Sequence, residues 1–216
     1  MLNEVSQMHE LCTHLQFFQE AGCEIIFADG GSVDGSSDIA QTRGFKIIHS
    51  ARGRARQMNV GAATAGGDFL LFLHADTRLP LDAMQIIERA LAQGTHYWGR
   101  FNVRITGHSL MLRVIGHLIN IRSRLTGIAT GDQAIFVQRH LFDQVLGYSD
   151  QPLMEDIELC KQLLRYSRPA CIAQCVSTSG RRWESRGVWR TILLMWRLRL
   201  DYWRGVDVAM LARMYK

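Results

Sequence analysis

The chain is 216 residues long, with 47% hydrophobic residues and a formal net charge of +5. This length fits one domain, or one domain with an appendage, and excludes a fold that depends on disulfide staples. The five cysteines form no Cys-x-x-Cys pair, which argues against a structural zinc site and indicates a reducing, cytoplasmic setting. The longest apolar runs, 69–73 and 192–196, are far shorter than the roughly 20 residues of a transmembrane helix, and the start of the chain has no signal-peptide pattern.

The positive charge is concentrated near the end of the sequence. Residues 180–216 hold nine Lys or Arg against three Asp or Glu, which leaves the preceding residues almost neutral. Because this basic segment is predicted to be helical and is rich in tryptophan, it favours a membrane surface or an acidic partner over nucleic acid. We therefore expect no nucleic-acid binding.

The first part of the chain predicts helices and strands in alternation. Apolar residues at three- and four-residue spacing predict a helix over 2–18, with Gly22 placed to end it. Further helices are predicted at 37–43, 59–65 and 80–93, and strands at 24–29, 45–49 and 69–73. This alternation indicates the α/β class, with a mostly parallel sheet flanked by helices.

The later part of the chain is less regular. Strands are predicted at 98–106 and 134–137, and helices at 110–125, 155–166 and 188–204. We divide the sequence into a domain at 1–180 and a basic helical extension at 181–216.

Two aspartates follow predicted strands, at the edge of a parallel sheet where ligands collect. Asp29 ends the strand at 24–29, and Asp76 follows the strand at 69–73. Residues two apart on an extended segment point the same way, so His74 and Asp76 project together. A carboxylate in this position can hold a divalent cation on a diphosphate, whereas the alternative is that Asp76 caps the next helix or its preceding turn.

Glu155 and Asp156 open the helix at 155–166, where the helix dipole favours ionised carboxylates. An ionised aspartate near a reacting carbon can take a proton as general base. Acidic residues are also common in first helical turns for structural reasons, so this pair alone does not assign a function.

Four stretches of the sequence, taken in order, resemble the family 2 glycosyltransferases of GT-A fold. They are 24–36 with Asp-Gly-Gly-Ser, 53–62 with Gly-Arg-Ala-Arg-Gln, 67–76 with Leu-His-Ala-Asp, and 154–159 with Met-Glu-Asp-Ile-Glu-Leu. Four blocks in order are far more specific than one. The resemblance implies a nucleotide-diphospho-sugar transferase fold and the transfer of a sugar from a nucleotide-sugar donor to an acceptor.

The resemblance also implies roles for single residues. Asp76 is implied as the ligand of Mn²⁺ or Mg²⁺, and Asp156 as the general base of an inverting single displacement, with Glu155 beside it. The residues expected to contact the nucleotide are Asp29, Gly31, Ser32, Arg54, Arg56 and Asn59. Those expected around the sugar and the acceptor are Gly131, Asp132, Gln133, Arg182 and Trp183.

Three features depart from the usual family pattern. His74 stands where many members carry the first Asp of Asp-x-Asp; as a metal ligand it would favour Mn²⁺, but a hydrogen-bonding role is the interpretation that we favour. Gly30 replaces an Asp that contributes a nucleobase contact in relatives. Met1–Glu4 resembles the end of the family's opening strand, and the strand itself is missing, which predicts an N-terminally shortened domain. We expect weak stability, or a sheet edge filled by another molecule such as a second copy of the chain.

The helix at 188–204 carries a Trp-Arg pair every seven residues, beginning at residues 189, 196 and 203. Together with Ile192, Leu193 and Leu200, the tryptophans form an apolar stripe. The interpretation that we favour is that this stripe packs on the domain. The alternative is an interfacial helix on an anionic membrane, which would suit a lipid-linked acceptor.

Two other functions fit parts of the sequence. A sugar nucleotidyltransferase shares the sheet architecture, but its glycine-rich loop with Arg and Lys is missing here. A non-catalytic nucleotide-binding or scaffold protein would explain the missing strand. More narrowly, residues 73–77, 126–133 and 179–183 resemble a bacterial subgroup of family 2 associated with arsenosugar biosynthesis. The donor sugar, its nucleobase and the acceptor are not identified by the sequence.

Overall fold

The computed structural model describes residues 1–215 and has the predicted α/β architecture. The helices are α1 (Val5–Glu20), α2 (Ser36–Thr42), α3 (Arg54–Thr64), α4 (Ala83–Ala92), α5 (Met111–Thr126), α6 (Arg139–Gln144), α7 (Glu155–Leu163), α8 (Arg181–Arg186), α9 (Val188–Trp203) and α10 (Val208–Tyr215). The strands are β1 (Ile26–Asp29), β2 (Lys46–His49), β3 (Phe69–Leu71), β4 (Thr77–Arg78), β5 (Trp98–Thr106), β6 (Phe136–Gln138) and β7 (Ala170–Ser179). A 3₁₀ turn at Gly131–Gln133 precedes β6.

The strands form two sheets. β1 and β2 make a parallel pair, and the other five strands lie in the order β3-β6-β5-β7-β4. In the five-stranded sheet only β5 and β7 are parallel, because the short strands β4 and β6 run antiparallel to their neighbours. The strand pairing in this sheet is therefore mixed, which corrects the prediction of a mostly parallel sheet.

The two sheets share no ladder within the described residues. β1 pairs with β2 alone and β3 pairs with β6 alone, so each of these two strands has one edge without a strand partner in residues 1–215. The expectation of an incomplete sheet is confirmed.

Apolar side chains are buried on both faces of the five-stranded sheet. Phe136 packs into one cluster, together with α1, α4 and α5, while its neighbours Ile135 and Val137 pack into another, together with α3, α6 and α7. This alternation follows from the two-residue period of a strand. The sheet is thus the middle layer between helices.

Strand β7 is the longest strand of the described chain, yet the sequence analysis did not predict it. Its ten residues pair in parallel with β5, with an irregularity between Phe101 and Asn102. Small and polar residues interrupt its apolar pattern, which reads Ala-Cys-Ile-Ala-Gln-Cys-Val-Ser-Thr-Ser. Strand β4 and the helices α6, α8 and α10 were also not predicted, because segments of two to eight residues give too weak a periodic signal.

The C-terminal helix α9 packs on the domain with the face opposite to its tryptophans. Leu198 is fully buried against a cluster that includes Met154, Ile157 and Leu211. In contrast, Trp189, Trp196 and Trp203 are 67%, 68% and 69% exposed. The helix therefore packs on the domain as we favoured, but it does so through the face opposite to the tryptophans, and of the predicted stripe Ile192 packs against the core. No helix within residues 1–215 has both the length and the apolar character needed to span a bilayer.

We predict that Gly99→Ala destabilises the fold. A Cβ at position 99 would lie against the Phe136 ring and 2.5 Å from the carbonyl oxygen of Ala170, in the strand that β6 and β7 hold from both sides. Overpacking of this kind costs about 1–3 kcal/mol, which urea unfolding would measure.

Gly61→Ala is the matched control for this measurement. It lies within α3, where the added methyl group would contact the Ala28 Cβ at 3.8 Å, an ordinary packing distance. The higher helix propensity of alanine should stabilise this variant by roughly 0.5–1 kcal/mol. Equal unfolding midpoints for Gly99→Ala and the wild type would contradict the packing described around β5.

Candidate functional site

A cavity of about 1310 Å³ opens between the two sheets. One part of it is lined by apolar residues of β1 and β3. The other part is polar and includes His74, Asp76, Asp132 and Asp156. These four residues come from three separate segments of the sequence, and all of them line the cavity.

His74 is held by Asp132 and covered by Gly131. Its Nδ1 lies 3.1 Å from Asp132 Oδ1, and its Nε2 edge packs so closely on Gly131 that a Cβ there would overlap the ring. Burial opposes the positive charge on His74, but the hydrogen bond to Asp132 and the charge of Asp132 outweigh it, so the pKa of His74 is raised. Nδ1 is thus engaged by Asp132, which favours the hydrogen-bonding role of His74 over metal ligation.

Asp76 keeps one carboxylate oxygen free of hydrogen bonds to the described residues. Its Oδ1 receives two long bonds, from the Thr77 and Thr178 hydroxyls at 3.4 and 3.5 Å, and its backbone oxygen accepts the Ser179 N–H at 3.2 Å. The Thr77–Thr178 pairing of β4 with β7 fixes this segment at the sheet edge. Oδ2 is therefore available to a ligand in the cavity.

The donor set around Asp76 suits a cation that the substrate helps to bind. In residues 1–215 no group of three or more His, Cys, Asp or Glu side chains could hold a metal ion by itself. Mg²⁺ is usually bound through one or two carboxylates together with substrate phosphates and water, so a single free carboxylate oxygen fits that arrangement. The residues present thus fit a divalent cation held between Asp76 and a phosphate group.

Asp156 lies in the first turn of α7 and is oriented by backbone donors. Its Oδ2 accepts the Gly131 N–H at 3.0 Å, and its Oδ1 accepts the Ile157 N–H at 2.8 Å. Each carboxylate oxygen has a second lone pair, so Asp156 can still accept a proton from a molecule in the cavity.

Glu155 is 2% exposed and does not line the cavity. Its Oε1 accepts the Nε–H of Arg54 at 2.9 Å, and its Oε2 has no hydrogen-bond partner among the described residues. Burial raises the pKa of Glu155, although Arg54 opposes this shift. The sequence analysis predicted Glu155 as a catalytic residue beside Asp156, but its geometry is that of a residue that positions Arg54.

Of the residues predicted to contact the nucleotide, Arg54 lines the cavity, whereas Asp29, Gly31, Ser32, Arg56 and Asn59 do not.

Asp29 is buried and is held mainly by Ser32 of its own loop, while His49 Nδ1 of β2 lies 3.6 Å from its Oδ2. Its carboxylate accepts the Ser32 hydroxyl at 2.6 Å and the Ser32 N–H. Burial opposes ionisation, but these hydrogen bonds outweigh it and lower the pKa of Asp29. Next to it, Gly30 lies against the Gln57 side chain, so a larger residue at position 30 would require Gln57 to move.

Arg56 and Asn59 connect α3 to the loop before α7. Arg56 makes a two-pronged ion pair with Asp150 at 2.8 and 2.9 Å. The Asn59 amide donates to the Tyr148 carbonyl at 2.8 Å and accepts the Tyr148 N–H at 2.9 Å. That Arg56 and Asn59 contact a nucleotide remains a prediction.

Four of the five residues expected around the sugar and the acceptor line the cavity, namely Gly131, Asp132, Arg182 and Trp183. Gln133 is the exception, because it is fully buried. Its Oε1 accepts the Thr130 N–H, and its Nε2 donates to the Phe101 carbonyl oxygen. It therefore stabilises the 3₁₀ turn from below and is not placed to contact a sugar.

The C-terminal helices supply cavity residues that the sequence analysis missed. Arg199 of α9 and Tyr215 of α10 both line the cavity, and Tyr215 packs on Arg182, whose guanidinium carbon lies 4.3 Å from the ring centre. Arg199 does not belong to the seven-residue Trp-Arg repeat, and that irregularity was the available signal. The segment 181–216, predicted as an extension, thus contributes to the site.

Arg199 lies near a second buried arginine, Arg122 of α5. Burial and then the charge of Arg199 lower the pKa of Arg122 to about 10. Burial also lowers the pKa of Arg199, against the opposite effect of Asp156 and Asp132. The Nε atoms of both arginines are buried without a hydrogen-bond partner in the described chain. Of the two, Arg199 lines the cavity, so an anion bound there would compensate its charge.

The chain has a layered α/β fold with carboxylates and arginines around one inter-sheet cavity, and the solved structures that it resembles are glycosyltransferases of GT-A fold. The chain belongs to glycosyltransferase family 2, because residues 3–142 match the family described as "Glycosyl transferase family 2". This match covers more than half of the chain and confirms the family that the sequence resembles; the blocks at 24–36, 53–62 and 67–76 lie within it, and the block at 154–159 lies outside it.

Solved structures show the same fold. The mannosyltransferase PcManGT from Pyrobaculum calidifontis, in complex with GDP-Man and Mn²⁺, superposes with a TM-score of 0.65 at 18% identity, over 93% of this chain and 59% of that one. TarS 1–349 of S. aureus gives 0.64 at 15% identity, over 83% and 58%. Mannosyl-3-phosphoglycerate synthase from Rubrobacter xylanophilus gives 0.57 at 17% identity, over 93% and 72%.

The chain spans a little less than three fifths of the TarS fragment and of PcManGT. No curated protein sequence matches it significantly. At these identities the structural likeness establishes the fold, and activity has to be argued from the site.

We predict that Arg54→Met destabilises the protein most at neutral and higher pH. The substitution leaves the Glu155 carboxylate buried without its cation. Because Arg54 is 43% exposed, we expect a loss of about 1–3 kcal/mol, below the 3–5 kcal/mol of fully buried pairs. The Glu155 pKa is already raised in the folded state and rises further in the variant. The loss of stability is therefore fully present above the Glu155 pKa of the folded variant. It shrinks as the pH falls below that pKa towards the ordinary glutamate value of 4.5.

Urea unfolding of the wild type, Arg54→Met and the double variant Arg54→Met/Glu155→Gln, each at a series of pH values, checks this prediction. The double variant should recover most of the stability, because neutral glutamine removes the unpaired charge. A loss in Arg54→Met that is independent of pH, or that Glu155→Gln does not relieve, would show that the ion pair is not its cause.

Proposed function

We propose that the protein transfers a sugar from a nucleotide-sugar donor to an acceptor, in a metal-dependent, inverting reaction. The observation that carries this proposal is the arrangement of charges in the cavity: two carboxylates with accepting capacity, Asp76 and Asp156, face the same space as the cations Arg54, Arg182 and Arg199. A nucleoside diphosphate and a sugar carbon with an attacking hydroxyl require this combination of groups.

The arginines suit the diphosphate of the donor. Arg54 is fixed by Glu155 at one side of the cavity, and Arg182 is held under the Tyr215 ring. Guanidinium groups bind phosphate oxygens with two parallel hydrogen bonds. Their charges would stabilise the negative charge that develops on the leaving nucleoside diphosphate.

Asp76 is the residue that would hold the metal ion, through its free Oδ2. Such an ion, when bound, supplies Lewis-acid stabilisation of the leaving phosphate oxygens. His74 supports Asp76 indirectly, since its hydrogen bond to Asp132 fixes the wall beside it. Mn²⁺ and Mg²⁺ both accept carboxylate oxygens, and Mn²⁺ is present in the PcManGT complex.

Asp156 is the proposed general base. In a single displacement the acceptor oxygen forms a bond to the anomeric carbon while the bond from that carbon to the phosphate oxygen breaks. The hydroxyl proton passes to Asp156, and attack from the opposite face inverts the carbon. The backbone donors Gly131 and Ile157 hold the carboxylate during this step.

The similar structures do not favour one donor nucleotide. The similar structures include one with GDP-Man and Mn²⁺, and TarS with UDP-GlcNAc, so neither guanine nor uracil is favoured. The narrower assignment to the arsenosugar-associated subgroup stays a prediction that depends on sequence resemblance alone. A non-catalytic nucleotide-binding protein is the competing function, and it is separated from transfer by the experiment that follows.

We predict that Asp76 and Asp156 variants fail in different ways. Nucleotide sugars would be screened for a rise in melting temperature with Mn²⁺, and the best donor would be used in hydrolysis and transfer assays. Asp76→Asn should lose the Mn²⁺-dependent part of the rise. Asp156→Asn should keep donor binding while turnover falls by about 10²–10⁴-fold, the usual contribution of a general base.

Asp143→Asn is the matched control, since Asp143 is an exposed carboxylate on α6 outside the cavity. It should behave like the wild type in both assays. Donor binding without any release or transfer of sugar by the wild type would support the non-catalytic alternative. The absence of a Mn²⁺-dependent shift with every nucleotide sugar would reject the proposed donor site.

We also propose that the protein acts at an anionic membrane surface on the cytoplasmic side, where it meets a lipid-linked acceptor. Two helices support this. On α9 the exposed tryptophans alternate with Leu193 and Leu200, and the exposed arginines 190, 197 and 204 lie beside them. Exposed indole rings flanked by arginines are typical of helices that lie at the lipid headgroups.

Helix α5 carries a second exposed apolar stripe. Leu110, Val114, Leu118, Ile121 and Leu125 recur at three- and four-residue spacing, and all are exposed. The helix has no acidic residue, whereas it contains three arginines and a histidine. Arg122 of α5 and Arg199 of α9 are close enough for the charge of Arg199 to lower the pKa of Arg122. Two helices with apolar stripes and basic flanks suit an anionic lipid surface.

We predict that replacing the three α9 tryptophans 189, 196 and 203 with serine abolishes binding to anionic vesicles. The side chains are exposed, so the melting temperature should change little. Co-sedimentation with phosphatidylcholine vesicles, with and without phosphatidylserine, measures the effect. Each arginine near an anionic surface adds about 1 kcal/mol, so the wild type should bind the phosphatidylserine vesicles at least tenfold more tightly.

Val33→Ser is the matched control, because Val33 is an exposed apolar residue far from both helices in sequence. It should sediment with vesicles like the wild type. Equal binding by the tryptophan variant and the wild type would exclude α9 as the membrane contact.

A further inference from the structure

Arg100 of β5 is a fully buried cation whose hydrogen-bond acceptors are neutral. Its side chain is 0% exposed, and its Nε has no hydrogen-bond partner among the described residues. Its two terminal nitrogens donate to the Asn102 side chain and to the Asn120 carbonyl. Because a buried charge without a counter-ion is costly, an arginine in this position calls for a neighbour that can become negative.

Two cysteines of β7 lie beside this arginine. In the parallel ladder, Cys171 pairs with Arg100 and Cys175 pairs with Asn102. Paired residues point to the same face of a sheet, and positions two apart on a strand share a face, so both thiols lie on the side of the guanidinium. Both cysteines are free and half-buried.

A bulge in β7 brings the two cysteines closer than their spacing in the sequence suggests. The ladder is irregular after Phe101, because Ala173 and Gln174 are extra residues that have no partner in β5. The cysteines therefore occupy successive positions on one face, with Cα atoms about 6.6 Å apart by the rise of a parallel strand. Disulfides join Cα atoms about 4.4–6.8 Å apart, and the exposed bulge leaves room for the segment to adjust.

Asn102 connects the bulge to the arginine. Its Oδ1 accepts a hydrogen bond from Arg100, and its amide donates to the Ala173 carbonyl at 3.1 Å. The Cys175 thiol donates to the same carbonyl at 3.9 Å. The guanidinium, the bulge and the thiols thus form one cluster, and none of these residues lines the cavity between the sheets.

The charges in this cluster differ from those around another half-buried cysteine, Cys23. Burial lowers the pKa of Arg100, Cys171 opposes this shift, and the charge of Arg124 adds to it. A negative charge on the Cys171 sulfur would give Arg100 its counter-ion, and a neighbouring arginine is typical of reactive thiols. At Cys23, by contrast, burial and then the charge of Glu88 raise the thiol pKa.

We propose that Cys171 and Cys175 are a redox-active thiol pair that hydrogen peroxide converts into a disulfide, with Arg100 as the counter-ion of the reacting Cys171 sulfur. Disulfides of this reversible kind are the ones found in reducing compartments. The inference is independent of the proposed sugar transfer, since it uses no residue of the cavity.

The reaction has two steps. The Cys171 sulfur attacks one peroxide oxygen, so that an S–O bond forms, the O–O bond breaks, and the leaving oxygen departs as water with the thiol proton. The Cys175 sulfur then attacks the sulfenic acid, so that the S–S bond forms, the S–O bond breaks, and a second water leaves. Together the thiols lose two protons and two electrons, and one hydrogen peroxide becomes two waters.

The test exposes the whole chain to hydrogen peroxide, alkylates the remaining thiols and analyses the tryptic peptides by mass spectrometry. Both cysteines lie on one peptide, 166–181, because Pro169 prevents cleavage after Arg168. The disulfide is therefore seen as a peptide that is two hydrogens lighter and carries no alkyl group. We expect it to form roughly tenfold faster than Cys23 is oxidised in the same sample, and to be reversed by dithiothreitol.

Four variants separate the roles of the residues. Cys175→Ser should stop the reaction at a sulfenic acid on Cys171, which dimedone traps, whereas Cys171→Ser should leave Cys175 reduced. Arg100→Met should slow the oxidation of Cys171 several-fold. Cys23→Ser is the matched control and should form the disulfide like the wild type. If Arg100→Met does not fold, the two variants of the pair and the comparison with Cys23 decide.

Three outcomes would overturn the proposal. The first is equal oxidation rates for Cys171 and Cys23, since Arg100 would then have no effect on reactivity. The second is oxidation of Cys171 to sulfinic or sulfonic acid in the wild type without any disulfide. The third is a disulfide between two chains, seen as a dimer on non-reducing electrophoresis, because the bulge would then not bring the two thiols together.

Discussion

Helix α3 is the element on which the arrangement of the two sheets depends. The sheets share no ladder within the described chain, so their relative position is set by side-chain contacts. Gln57 donates to the Ala28 carbonyl on the β1 side, while Asn59 makes two hydrogen bonds with the Tyr148 backbone on the other side. The Arg54–Glu155 ion pair adds a link to α7. Helix α3 therefore links the two sheets through side-chain hydrogen bonds, and the core cluster that α1 shares with Phe27 and Phe136 adds apolar contacts between them.

This arrangement determines how the polar site is assembled. Asp76 is carried by the segment between β3 and β4, Asp156 by α7, and Arg199 by α9, so none of these groups shares an element with another. Their positions relative to one another follow from packing of whole helices. Glu155 holds Arg54 through an ion pair, and the Gly131 N–H holds the Asp156 carboxylate. Because Gly131 has no side chain, it also leaves room for the His74 ring. The chemistry of the cavity is thus inseparable from the packing around it.

The sequence predicts most of the first half of the fold, because β1, β2 and β3 are apolar runs closed by glycine or polar turns. It also predicts Asp76, Asp156 and His74 as neighbours, since strand ends and helix starts have fixed places in an α/β fold. It did not predict β7, whose apolar pattern is interrupted, or the burial of Gln133, which depends on contacts with Phe101 and Asn120. Arg199 was missed because its orientation depends on how α9 packs, and the sequence does not encode that locally.

The distribution of the five tryptophans makes the protein its own optical reporter. Trp98 is fully buried in the core, Trp183 is half-buried at the cavity, and the other three project from α9 into solvent. Indole emission shifts to shorter wavelength as water is removed. Anything that covers α9 would therefore change the red part of the spectrum, whereas unfolding of the sheet would change the blue part through Trp98. Surface contact and core integrity can be followed separately in one unlabelled sample.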